Sequence, residues 1–110
     1  MATPQAASPA REEVRGVVPK LIDLSEKVLY GDVWERPGLS KRDRSLITVA
    51  ALVATYRPEQ LKGHTERALA NGVTREEISE LITHLAFYAG WPSAMSAARV
   101  VKQVFEEKKP

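Results

Sequence analysis

Apolar residues in this chain recur at intervals of three and four and almost nowhere at two, a pattern that predicts helices and no sheet. The first stripe, Val14, Val17, Val18, Leu21, Leu24, Val28 and Leu29, predicts a helix from about Pro9 to Tyr30. Gly16 and Pro19 are points where it can split, and Gly31 ends it. Pro37 and Gly38 mark a turn in the connector from Asp32 to Leu39. Ser40 and Asp43 then form a capping start for a second helix, Lys41 to Thr55. Past Arg44 it is apolar on nearly every side, so it is expected to be the central buried element.

Pro58 suits the first turn of a third helix, and Asn71-Gly72 supplies the left-handed pair that favours a helix C-terminus. The next boundary is the sharpest in the chain. Thr74-Arg-Glu-Glu77 is a capping box, and Val73 and Ile78 occupy the two positions of a hydrophobic staple. The fourth helix runs to about Ala89 with Ile78, Leu81, Ile82, Leu85 and Ala89 toward the core, and Gly90 stops it. Pro92 opens a fifth, whose apolar side is Ala94, Ala97, Ala98, Val101, Val104 and Phe105 and whose end is the polar run Glu106 to Pro110. The alanines permit close helix contact, within the subunit or between subunits.

Length and charge narrow the picture only a little. A chain of 110 residues makes one domain, read here as residues 11–110 behind a disordered tail over residues 1–10. Its sixteen basic and fourteen acidic residues are interspersed, so no continuous field favours nucleic acid or an anionic membrane. The longest apolar stretch, Leu46 to Ala54, is about half of what a bilayer span needs. The first ten residues lack the basic start and apolar centre of a secretory signal, which leaves the cytoplasm as the expected compartment. The absence of cysteine removes disulfides and thiolate metal sites.

Two histidines are the natural places to look for chemistry. His64 lies three residues after Leu61 and four before Ala68, which turns it toward the apolar side of the third helix; a semi-buried imidazole there either moves a proton or is a core histidine satisfied by a carbonyl. His84 and Tyr88 stand four apart on the fourth helix, with Glu77 and Glu80 earlier on it. That row either holds a proton donor and an orienting carboxylate or borders an oligomer contact. The histidines come from different helices and neither belongs to a His-x-x-x-His or Glu-x-x-His pair, so no metal site is expected. Arg36, Arg42, Arg44 and Arg57 can bind carboxylates in a bidentate fork. Trp34 and Trp91 both adjoin turns: Trp91 is expected to pack, and Trp34 either plugs a helix junction or walls a small apolar pocket.

Several of these segments together resemble the carboxymuconolactone decarboxylase family. They are Gly31-Asp-Val-Trp-Glu-Arg-Pro-Gly-Leu39, Arg42-Asp-Arg-Ser-Leu-Ile-Thr48, His64, Asn71-Gly-Val-Thr-Arg-Glu-Glu-Ile78 and His84-Leu-Ala-Phe-Tyr-Ala-Gly-Trp-Pro92. The redox branch of that superfamily, the AhpD-like peroxidases, carries Cys-x-x-Cys-x-x-x-His where this chain has Arg57, Gln60 and His64, and a glutamate where Ser45 stands. A peroxidatic cycle needs a thiolate and a resolving thiol, so the resemblance is to the decarboxylase branch. It implies an all-α, AhpD-like bundle of about five to six helices, assembled into trimers or hexamers with sites at subunit contacts.

The same resemblance implies a cofactor-free decarboxylase acting on a small carboxylated lactone or related acid. His64 would be the catalytic proton donor, or a donor on the carbonyl side. His84 and Tyr88 would support it, and Arg36, Arg57, Arg44 and Trp34 would line the substrate. The other readings of the same fold are a binding or scaffold protein without activity and a different cofactor-free lyase or isomerase.

Overall fold

A computed structural model describes residues 9–108, and among them every regular element is helical. The disordered tail expected over residues 1–10 lies, up to residue 8, outside the described residues; Pro9 and Ala10 open the first helix. The chain forms two compact units, one ending at Lys41 and one beginning at Arg42.

The first unit holds α1 (Pro9–Val14) and α2 (Pro19–Leu24), then a π-helical turn Ser25–Tyr30 and a 3-10 turn Val33–Glu35. The split expected at Gly16 and Pro19 is present, and α2 runs directly into the π turn. Gly31 closes this segment for a steric reason. A Cβ there would sit 2.7 Å from the carbonyl oxygens of both Glu26 and Lys27, closer than real side chains approach. Tyr30 and Trp34 are buried with ring centroids 5.6 Å apart, and the Arg11 guanidinium lies 4.7 Å from the Tyr30 centroid.

The second unit contains the rest of α3 (Lys41–Ala54), α4 (Pro58–Ala70), α5 (Arg75–Tyr88) and α6 (Trp91–Glu107). One core cluster joins all four, with Val49 and Val53 from α3, Leu61 and Ala68 from α4, Ile78 and Ile82 from α5, and Ala94, Ala97 and Val101 from α6. The expectation that α3 is buried all round is corrected. Only its Ser45, Val49, Val53 edge is buried, while Ile47 is 55% exposed. The central position belongs to α6, which packs against both α4 and α5; Ala94 and Ala97 on its inner face let the neighbouring backbones come close.

The boundaries follow the punctuation in the sequence, with one exception. After α4, Gly72 has φ +98°, its N–H donates to the Leu69 carbonyl, and the Val73 N–H donates to the Ala68 carbonyl. After α3 the same double closure appears, Tyr56 N–H to the Val53 carbonyl and Arg57 N–H to the Leu52 carbonyl, but the left-handed residue is Tyr56 at φ +56°. The Thr74 capping box is complete, since its Oγ1 accepts from the Glu77 N–H and the Glu77 carboxylate accepts from the Thr74 N–H; the staple residues Val73 and Ile78 are both buried. Beside that box, Arg75 of α5 donates to the Phe105 and Lys108 carbonyls and caps α6.

Two buried hydroxyls differ in their situation. Ser45 Oγ accepts from Asn71 Nδ2 at 3.0 Å, tying α3 to the end of α4, whereas Thr65 Oγ1 is buried without a hydrogen-bond partner among the described residues.

A side chain in the left-handed region costs roughly 1–2 kcal/mol. Tyr56→Gly, at a position 57% exposed, is therefore expected to raise unfolding stability by about 1 kcal/mol, net of the glycine's greater unfolded-state freedom. Urea denaturation checks this, and a lower midpoint would mean that the Tyr56 ring contributes packing that outweighs the strain.

Candidate functional site

Two surfaces of the second unit carry polar chemistry. The first is an edge of α4. Arg57, Gln60 and His64 follow one another at i, i+3 and i+7, so they share one side of the helix beside its buried Leu61, Thr65, Ala68 face. His64 is half-buried with its Nδ1 shielded from solvent, while Arg57 and Gln60 are exposed. Arg57 is the N-cap residue of α4 and stands just past the end of α3. Its Nη1 donates to the Thr55 carbonyl at 3.2 Å and to the Tyr56 carbonyl at 3.4 Å. The guanidinium thus also caps α3, and the rest of its exposed fork faces outward.

The second surface is a groove of about 680 Å³ between α3 and α5. Leu46, Ile47 and Ala50 line it from α3, and Leu81 and Leu85 from α5. Along the α5 side run Glu76, Glu77, Glu80 and His84. The His84 and Tyr88 rings stack with centroids 4.7 Å apart, so the helical spacing does bring these two together. Tyr88 is 78% exposed. His64 and Arg57 are not among the residues lining this groove.

The remaining sequence-derived candidates are dispersed. Arg44 is half-buried on α3 with its Nε shielded. In the first unit Arg36 is exposed just after the 3-10 turn, and Trp34 is 5% exposed against Tyr30, so its ring is a packing element of that unit. Trp91, expected to pack, is 59% exposed and meets the Phe87 ring edge-on at 5.7 Å. Among the described residues no group of three or more His, Cys, Asp or Glu side chains could hold a metal ion, and no helix is long and apolar enough to cross a membrane.

Sequence reasoning missed the junction that fixes the groove. Arg42, on the first turn of α3, donates to Asp43 at 3.2 Å and to Glu77, across 35 residues of chain. The arginine was visible as a possible carboxylate binder, but its carboxylate is one of the protein's own. Glu77 therefore serves two donors, the Thr74 N–H and the Arg42 guanidinium, and both hold its carboxyl below the usual carboxylate range, the backbone hydrogen bond most strongly. The same pair raises Arg42 further above its ordinary value.

The chain matches the carboxymuconolactone decarboxylase family model over residues 19–103 and belongs to that family. Over 78 residues, 71% of this chain and 58% of the relative, it is 42% identical to the 4-carboxymuconolactone decarboxylase of Acinetobacter baylyi. It is 38% identical over 85 residues, 77% of this chain and 59% of the relative, to the nitrosuccinic acid decarboxylase npaB of Metarhizium robertsii. A third relative, the uncharacterized 15.0 kDa protein in the nqo9-nqo10 intergenic region of Paracoccus denitrificans, is 30% identical over 81 residues, 72% of this chain and 60% of its own length. The chain thus spans 58% to 60% of the curated relatives it matches.

Because the folded carboxyl of Glu77 titrates below its unfolded value of 4.5, its contribution is fully present above pH 4.5 and is lost as pH falls through the lower folded value. Glu77→Gln is expected to be less stable than wild type at pH 7, with the difference shrinking as the solution is acidified below 4.5. Paired urea titrations at neutral and acid pH measure this. A gap that stays constant with pH would show that the carboxylate's charge is irrelevant to the junction.

Proposed function

We propose that this protein is a cytoplasmic, homo-oligomeric decarboxylase that works without a cofactor on a small acid of the carboxymuconolactone type, in the breakdown of aromatic compounds. The observation that carries the reading is the 42% identity to a 4-carboxymuconolactone decarboxylase across 71% of this chain. A second relative supports the same chemistry from a different substrate. Nitrosuccinic acid carries a nitro group where carboxymuconolactone offers a conjugated lactone. Both molecules pair a departing carboxylate with a group that can hold the electron pair it leaves behind.

The reaction balances without an external oxidant or reductant. The bond between carbon and the leaving carboxylate breaks, carbon dioxide departs, the pair delocalises onto the acceptor oxygen, and one proton returns to carbon. The enzyme supplies orientation of the remaining carboxylates, a donor near the oxygen where charge develops, and that proton. The α4 edge suits these tasks. The open part of the Arg57 fork anchors a carboxylate, and His64, two turns further along, supplies the proton or the oxygen-side donor.

Arg44 and Arg36 are the further cationic candidates, and His84 with Tyr88 forms a supporting pair at the rim of the α3–α5 groove. That groove does not suit a polycarboxylate by itself, because Glu76 and Glu80 repel it. The α4 edge is the preferred seat.

His64→Ala is expected to lower turnover of 4-carboxymuconolactone by two orders of magnitude or more, on the order of a lost general acid, with the mass of the assembly unchanged. Arg57→Ala should raise KM more than it lowers kcat. Steady-state assay by loss of lactone absorbance, with light scattering on the same samples, checks both. Full turnover in His64→Ala would remove the assignment.

A further inference from the structure

The α3–α5 groove combines an apolar floor with carboxylates that this chain leaves unanswered. Glu76 and Glu80 are exposed, stand four apart on one side of α5, and make no ion pair among the described residues; only Glu77 is answered, by Arg42. Like charges at that spacing repel one another along the helix and weaken it. The floor is only partly covered: Ile47 is 55% exposed, and Leu46, Ala50, Leu81 and Leu85 are half-buried.

The outer side of α6 has the opposite character. Trp91 and Met95 are 59% and 51% exposed, and Arg99, one turn further on, is exposed and makes no ion pair among the described residues. Phe87 braces Trp91 edge-on, so the largest exposed ring is held in place before any partner arrives. Along the helix this stripe runs from apolar to basic, while α5 in the groove runs from acidic to apolar. The steps are comparable. With a rise of about 1.5 Å per residue, Arg99 lies about 9 Å from the midpoint of Trp91 and Met95, and the midpoint of Glu76 and Glu80 lies about 7.5 Å from that of Leu81 and Leu85.

We propose that the groove between α3 and α5 receives the outer face of α6 from a second copy of this chain, with Trp91 and Met95 over Leu81 and Leu85 and Arg99 against Glu76 and Glu80. The order of the residues makes the two helices antiparallel. Groove and stripe are different surfaces of one chain, so the contact is heterologous, and it propagates around a ring until it closes. An isologous pairing of two grooves would set Glu76 and Glu80 against their own counterparts, which charge repulsion opposes. This inference rests on the homo-oligomeric part of the reading above, and it adds which surfaces meet.

The full chain is examined by size-exclusion chromatography with light scattering across a dilution series, with circular dichroism confirming helicity of each variant. Wild type is expected at a multiple of 12.2 kDa. Glu80→Lys and Arg99→Glu should each weaken assembly by roughly tenfold or more, and Trp91→Ala likewise. Glu80→Lys combined with Arg99→Glu in one chain should recover the wild-type mass. A monomeric wild type would sink both the oligomer and the docking. An oligomer indifferent to Arg99→Glu and Trp91→Ala, or a double reversal that fails to recover, would overturn the docking alone and leave the oligomeric reading standing.

Discussion

The Glu77 carboxylate is the constraint on which the groove between α3 and α5 depends. It closes the first turn of α5 by accepting from the Thr74 N–H, and it accepts from Arg42 on the first turn of α3. The start of each helix is thereby tied to the other by one charged group. The capping box alone would fix where α5 begins but not how it lies against α3. With both bonds made, α3 and α5 flank an open groove in which Ile47 stays exposed. At the same end of the bundle, Arg75 on the carbonyls of Phe105 and Lys108 and the Ser45–Asn71 hydrogen bond brace α6 and α4 in the same frame.

Within that frame the α4 edge carries no sulfur. The position of the first thiol is held by Arg57, whose long side chain reaches back to the Thr55 and Tyr56 carbonyls. The position of the redox branch's glutamate is Ser45, whose hydroxyl is buried and already committed to Asn71. No thiolate exists there to receive a proton from it. What remains is an imidazole at the boundary of the core and a guanidinium at the helix start, a pair suited to binding an anion and returning a proton.

Much of this architecture was legible from residue order because local rules and tertiary packing agree along most of the chain. Thr74 to Glu77, Asn71-Gly72 and the prolines opening α2, α4 and α6 each impose a conformation through their own covalent structure, so those boundaries needed no knowledge of partners. The family segments made the helical bundle readable as well. What stayed hidden depends on contacts distant in sequence or on composition that misleads. The apolar run of α3 suggested burial on every side, but Leu46, Ile47 and Ala50 line an open groove. Tyr56 in the left-handed region had no glycine or asparagine to announce it. The pairing of Arg42 with Glu77 crosses 35 residues, and hydrophobic periodicity carries no information about it. For the site, spacing correctly set His84 on Tyr88, while it could not say that their neighbours would be unpaired carboxylates.

The distribution of charge joins these observations. An anion is drawn to the α4 edge, where Arg57 supplies positive charge, and repelled by the groove, where Glu76 and Glu80 make no ion pair among the described residues. A surface that is apolar, acidic and open costs stability in an isolated chain, through like-charge repulsion along α5 and through apolar area left in water. It becomes favourable only when a complementary surface covers it. The Trp91, Met95, Arg99 stripe, the partner surface proposed for it, is exposed in the same chain. The proposed site and the proposed docking surface thus lie on faces of opposite charge, in a protein whose net charge is only +2.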